Sequence, residues 1–159
     1  MRIFSLLIMS VLVLFGEAEN KLTIDAQNFS AEDQKNVIIF TGDVKMKRYK
    51  DIINANKLVI NLKQLSKLNT KKEPVLYTAT GDVYLEIVTT DKHYKAKGQE
   101  VIYKPLENKY IISGDGYAED IIGDKKLYGE KIYIDTITGE AKIDGSKKKP
   151  VRFIMQLDK

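Results

Sequence analysis

The chain has 159 residues, with 26 Lys and Arg against 22 Asp and Glu, a formal net charge of +4, no cysteine and a single histidine. Without cysteine, thiol catalysis and disulfide scaffolding are excluded, and structural zinc loses its best ligands. The mild positive excess lies largely in Lys147-Lys148-Lys149, which leaves no concentrated basic face of the kind nucleic-acid binding requires.

Met1-Arg2 precede an apolar run from Ile3 to Phe15, interrupted only by Ser5 and Ser10, and Gly16-Glu17-Ala18 offers small residues for processing. This is the outline of a signal peptide, residues 1–18, cleaved after Ala18. The run is too short for a spanning helix, which needs about 20 apolar residues. Residues 19–159 then form one domain, with a basic tail from about 146.

From Leu22 onward, apolar residues recur with period two, rich in Val, Ile, Tyr and Thr, and are punctuated by Gly, Asp and Asn, which predicts a succession of short strands. A helical alternative exists only at Asn61–Lys72, where Leu62, Leu65 and Leu68 are spaced by three. It has no cap or closing glycine and is read as a loop or frayed insertion. His93 falls in the polar stretch Thr89-Thr90-Asp91-Lys92-His93 and is read as a solvated turn residue.

The chain repeats itself. One unit is an apolar run followed by Thr/Ser-Gly-Asp: Phe40-Thr41-Gly42-Asp43-Val44, Thr80-Gly81-Asp82-Val83 and Ile112-Ser113-Gly114-Asp115. A second unit follows each glycine: Ile53-Asn54-Ala55-Asn56-Lys57-Leu58-Val59-Ile60, Tyr94-Lys95-Ala96-Lys97-Gly98-Gln99-Glu100-Val101, and Leu127-Tyr128-Gly129-Glu130-Lys131-Ile132. A partial copy opens at Leu22-Thr23-Ile24-Asp25-Ala26. In each second unit the apolar phase slips by one residue after the small residue, which predicts a bulge that keeps one face inward while the sheet bends.

The inward series comprises Ile24, Ile38, Phe40, Val44, Met46, Ile53, Leu58, Ile60, Val83, Leu85, Val101, Tyr103, Tyr110, Ile112, Ile132 and Ile134. Such a face must be buried by rolling up or by stacking two sheets, so the expected fold is all-β: an open, twisted antiparallel jelly roll of two facing sheets. Unpaired strands at either end invite pairing with another chain. Gly42, Gly81 and Gly114 sit on the inward phase and allow two readings, a bend or bulge, or interior volume left for a ligand chain.

Catalytic motifs are missing from the sequence: there is no histidine pair, GxSxG or P-loop. The recurring Asp43, Asp82 and Asp115 are read as turn carboxylates, and an enzyme that used them would need all three to converge on a cleft.

The ordered series of both units, spanning about residues 21 to 145, resembles the LptA/OstA family of periplasmic lipopolysaccharide-transport proteins. The resemblance implies a V-shaped pair of antiparallel sheets whose hydrophobic groove, lined by the inward series, takes the lipid A acyl chains of lipopolysaccharide. It implies end-to-end edge-strand pairing with LptC-like and LptD-like jelly-roll domains and with further copies of the chain. It also implies a periplasmic location, no cofactor and no reaction. The rival readings are a structural envelope scaffold with a closed core and a membrane-anchored LptC-like component of the same system. Lys125-Lys126 and Lys147-Lys148-Lys149 are read as solvated loops, with contact to lipid phosphates as the alternative.

Overall fold

The computed structural model describes residues 21–158; the expected signal peptide lies outside the described residues. Ten strands follow in order: β1 (Leu22–Asp25), β2 (Asn28–Glu32), β3 (Val37–Arg48), β4 (Asp51–Gln64), β5 (Lys72–Val88), β6 (His93–Lys104), β7 (Lys109–Asp120), β8 (Lys125–Asp135), β9 (Ala141–Asp144) and β10 (Arg152–Met155). All pairings are antiparallel. The six long strands β3 to β8 form a meander. β1 and β2 share the outer edge of β3, and β9 and β10 share the outer edge of β8.

Each ladder within the meander breaks once at the repeat motif, between Thr41 and Val44, Asn54 and Lys57, Thr80 and Val83, Lys97 and Glu100, and Ser113 and Gly116. These aligned breaks fold every long strand into two halves. One sheet is built from 28–32, 37–41, 57–64, 72–80, 100–104, 109–113, 131–135 and 141–144. The other is built from 22–25, 44–48, 51–55, 83–88, 93–98, 116–120, 125–129 and 152–155. We call them the upper and lower sheets; the line of bulges is their common corner, and the hairpin turns at the far ends form the mouth. The bulges appear where the apolar phase slips in the sequence, because one unpaired residue restores the inward phase beyond the bend.

The Gly-Asp pairs make these bends through two consecutive left-handed residues: φ is 83° and 47° at Gly42 and Asp43, 84° and 46° at Gly81 and Asp82, and 75° and 55° at Gly114 and Asp115. Glycine adopts this region without cost and aspartate more readily than most residues. A Cβ at the three glycines would strike the side chains of Gln27, Asn56 and Gln99, at 2.5, 2.6 and 2.7 Å respectively. The space beside each glycine thus holds a Gln or Asn side chain from the neighbouring second unit, so of the two readings the bulge applies and the ligand-volume reading does not.

The inner faces of both sheets make one core. Of the inward series, Val44, Met46, Ile53, Leu58, Ile60, Val83, Leu85, Val101, Tyr103, Tyr110, Ile112, Ile132 and Ile134 are buried, while Ile24, Ile38 and Phe40 are partly buried and pack against them. Two expectations shift. Leu62–Gln64, read as part of an insertion, continue β4 because they pair with Pro74–Lys72, leaving a loop only at 65–71. The stretch read as a basic tail returns to the fold as β10, with Arg152–Met155 paired along Tyr128–Lys125.

Candidate functional site: the inner face, its mouth and its ends

Most of the inner face is shut to water. Leu58, Leu85, Tyr110, Ile112, Ile132 and Ile134 have no accessible surface, so no water-sized void adjoins them. A ligand chain can lie among these side chains only if the sheets part. At the corner they are joined by continuous backbone, whereas at the mouth they are joined by side chains, so the corner is the natural hinge and the mouth the natural opening.

Two polar clasps cross the mouth. In the first, Arg48 and Asp51 flank the β3–β4 turn of the lower sheet and meet Tyr103 and Tyr110, one step from the β6–β7 turn of the upper sheet. The Tyr110 hydroxyl donates to Asp51 Oδ2 at 2.9 Å, and the Val88 amide donates to Oδ1 at 3.3 Å. The Arg48 guanidinium lies 4.4 Å over the Tyr103 ring, which stacks on Tyr110 at 4.4 Å, with Tyr77 tilted against it at 5.7 Å. Burial pushes the Tyr110 hydroxyl well above the usual tyrosine range, and the Asp51 and Arg48 charges act on it in opposite directions.

In the second clasp the Tyr94 hydroxyl, in the lower sheet, donates to the carbonyl of Gly139 in the β8–β9 turn at 2.8 Å. Beside it, Lys92 Nζ lies 3.1 Å from Asp120 Oδ2 and the Gly123 amide donates to Asp120 Oδ1 at 2.9 Å. Both clasps join turns three strands apart, so the sheets cross with a stagger. This leaves an overhang at each end of the inner face. At the first end Phe29, paired with Phe40 and 5.4 Å from its ring, is 64% exposed, and Ile24, Ile38 and Leu62 are only partly covered. At the other, Phe153, paired with Leu127, is 53% exposed beside the partly buried Ile143.

The clasps give opposite acid responses. Burial raises the Asp51 carboxyl above its usual range, with the Tyr110 and Val88 hydrogen bonds and Arg48 pulling the other way. Its contribution to stability is therefore full below about pH 4 and is lost as pH rises through the folded value. Burial also raises Asp120, but the Gly123 amide and Lys92 outweigh it and hold the carboxyl below its usual range. That contribution is present above about pH 4 and is lost as pH falls through the folded value. Urea midpoints across this range should lose their fall above pH 4 in Asp51→Asn and part of their fall below pH 4 in Asp120→Asn; unchanged profiles would contradict both assignments.

The outer face carries the repeated carboxylates. Asp82 and Asp115 line a shallow depression of about 520 Å³ with Tyr84, Lys97 and Gln99. Asp82 accepts from Gln99 at 3.2 Å, and Asp115 meets Lys149. Asp43 is absent from that depression and lies 3.8 Å from Lys45, so the three do not meet in one cleft. His93 opens β6 instead of sitting in the turn, partly buried, with Nε2 2.6 Å from Glu86.

Sequence reasoning missed Arg48 and Asp51 and the seam amides Gln27, Asn56 and Gln99. The amides had a signal, since each follows a small residue of the second unit: Ala26, Ala55 and Gly98. Arg48 and Asp51 had none, because nothing in the linear pattern brings the β3–β4 turn to the β6–β7 turn.

No curated protein sequence matches the chain. In fold it is similar to LptH from Pseudomonas aeruginosa, described as the LptA homologous periplasmic component of the conserved lipopolysaccharide transport device. The TM-score is 0.74 at 17% identity, covering 88% of this chain and 98% of that one. Residues 23–140, nearly all of the double sheet, match the family described as LptA/(LptD N-terminal domain) LPS transport protein, and the chain belongs to that family.

Proposed function

We propose that this chain is a periplasmic lipopolysaccharide carrier that takes acyl chains between its two sheets and passes them lengthwise through copies and partners joined end to end. The observation that carries this is the inner face itself: one apolar surface runs across β3 to β8, is continued by Ile24 on β1 and Ile143 on β9, and comes into water at the two ends, where Phe29 and Phe153 are exposed. Moving an acyl chain into such a surface is worth about 0.8 kcal/mol per CH₂. Parting the mouth costs the clasp contacts and the apolar packing between the sheets, and the acyl chains offset that packing by taking the place of the facing sheet.

The ends suit pairing. Each edge is two short strands, β1 with β2 and β9 with β10, whose outer backbone groups have no strand partner among the described residues. Edges of this kind accept a strand of a neighbour, here a further copy or the LptC-like and LptD-like jelly-roll domains implied by the family resemblance. Transport needs no cofactor and no covalent step from this chain. Its entry to the periplasm rests on the segment 1–18 acting as an export signal.

The closed packing of the centre favours a second reading, a structural envelope scaffold whose interior never opens. Binding separates the two. Purified protein mixed with lipopolysaccharide is expected to elute as a defined complex in size-exclusion chromatography, and lipopolysaccharide stripped of its acyl chains is expected to elute apart from it. Equal retention of both forms would show recognition of the saccharide, and retention of neither would leave the scaffold.

A further inference from the structure

The first clasp contains an arginine without an adequate partner. Arg48 Nε is buried and has no hydrogen-bond partner among the described residues, and its hydrogen bond to Asp51 spans 3.5 Å, the outer limit for such a bond. Its side chain is only 22% exposed, so the shortfall is not made good by open solvent. A guanidinium offers five donors in a planar fork, and here the Nε–H is unsatisfied while the face rests on Tyr103. Asp51 has better partners in Tyr110 and Val88 and spares little for the arginine. Lys50 adds a cation in the same turn, while at the base of the opposite turn Lys104 is paired to Glu107 at 3.4 Å and Lys109 stands opposite Asp135.

We infer that Arg48 is an anion-reading residue of the mouth, which exchanges its weak contact with Asp51 for a phosphate on the sugar that carries the acyl chains, and that this exchange releases the first clasp. The inference rests on the carrier reading above. A phosphate takes the guanidinium fork in two parallel hydrogen bonds, which an Asp51 carboxylate held by Tyr110 cannot do. Acyl chains lying between the sheets would leave their phosphorylated sugar at the mouth, beside the β3–β4 turn. Because the phosphate contact forms only when Arg48 leaves the clasp, the ligand binds the parted state better than the shut one, as a ligand that opens the mouth must. Arg48 is thus a positioning and selecting residue, while affinity for the chains comes from the inner face.

The test compares full-chain wild type, Arg48→Gln and Asp51→Asn for binding of fully phosphorylated lipid A and of lipid A with its phosphates removed. Circular dichroism controls for folding. Wild type is expected to prefer the phosphorylated lipid by at least about tenfold, the worth of a charge-assisted bidentate contact. Arg48→Gln is expected to lose that preference while keeping its affinity for the dephosphorylated lipid. Asp51→Asn, which removes the competing anion, is expected to bind the phosphorylated lipid more tightly than wild type. Inorganic phosphate at matched concentration is expected to leave the bound lipid in place. Equal binding of both lipids by wild type, or an undiminished preference in Arg48→Gln, would overturn the role of Arg48 and leave the carrier reading standing. Displacement of lipid by inorganic phosphate would overturn the assignment to a lipid-borne phosphate. Binding of neither lipid by wild type would remove the carrier reading and this inference together.

Discussion

Leu85→Ala should lower the unfolding free energy by about 3 kcal/mol, in the range of buried leucine truncations. Leu85 lies at the centre of the lower sheet, between Ile53 on β4 and Ala96 on β6, with no accessible surface. Both strand neighbours are held by ladders, so the void cannot collapse by moving the backbone, and the cavity adds to the lost transfer energy. Lys45→Ala, on the outer face of the same sheet, should change stability by less than about 0.5 kcal/mol. Urea unfolding followed by far-ultraviolet circular dichroism measures both. Similar midpoints for the two variants would mean that the inward and outward faces are wrongly assigned.

The second large effect concerns the ends. Phe29→Asp and Phe153→Asp each place a charge where the inner face reaches water, without entering the buried centre. If copies join end to end through these surfaces, burying an unpaired carboxylate in the joint should weaken self-association by more than about a hundredfold. The fold itself should lose little, because both positions are already more than half exposed. Sedimentation velocity over a range of concentrations would show the wild type forming larger species and each variant remaining monomeric. Because an end-to-end joint uses a different end from each copy, an equimolar mixture of the two variants should form dimers through the intact ends and stop there. Growth of either single variant into longer species would contradict the end-to-end joint.

Much of this fold is legible in the linear pattern because its physics is local. Period-two alternation assigned the inward side chains correctly, since a strand sends successive residues to opposite faces wherever it pairs. The bend was visible too: a phase slip after Ala55 and Gly129 can be reconciled with one buried face only by a bulge, and the Gly-Asp pairs supply the left-handed backbone it needs; in β6 the slip read after Ala96 falls instead after Gly98, which is still inward and pairs with Val83. What lay beyond the sequence depends on how the sheets meet. Gly42 on the inward phase looks like room for a ligand until Gln27 is placed against it. Leu62–Gln64 look like an insertion until Pro74–Lys72 are seen to lie opposite. Arg48 and Asp51 read as an ordinary hairpin end, and only the three-strand stagger between the sheets carries them to Tyr103 and Tyr110.

The clasps also bear on how tight a carrier of this shape should be. A groove that stood open would expose its apolar lining to water whenever empty, a liability for a chain with free sheet edges. Closing the mouth with polar contacts laid over the Tyr77, Tyr103 and Tyr110 rings keeps the empty state folded, and the polar part of that closure costs little to exchange for a ligand.

Acyl-chain passage along the inner face is tested most directly by a photo-crosslinking residue placed singly at Phe40, Ile60 and Val101, with Lys45 and Lys57 as outward controls, followed by blotting for lipopolysaccharide captured in living cells. Capture at the three inward positions and silence at the two outward ones is the predicted result. Silence at all five, in protein that is folded and exported, would mean that the inner face is only a core.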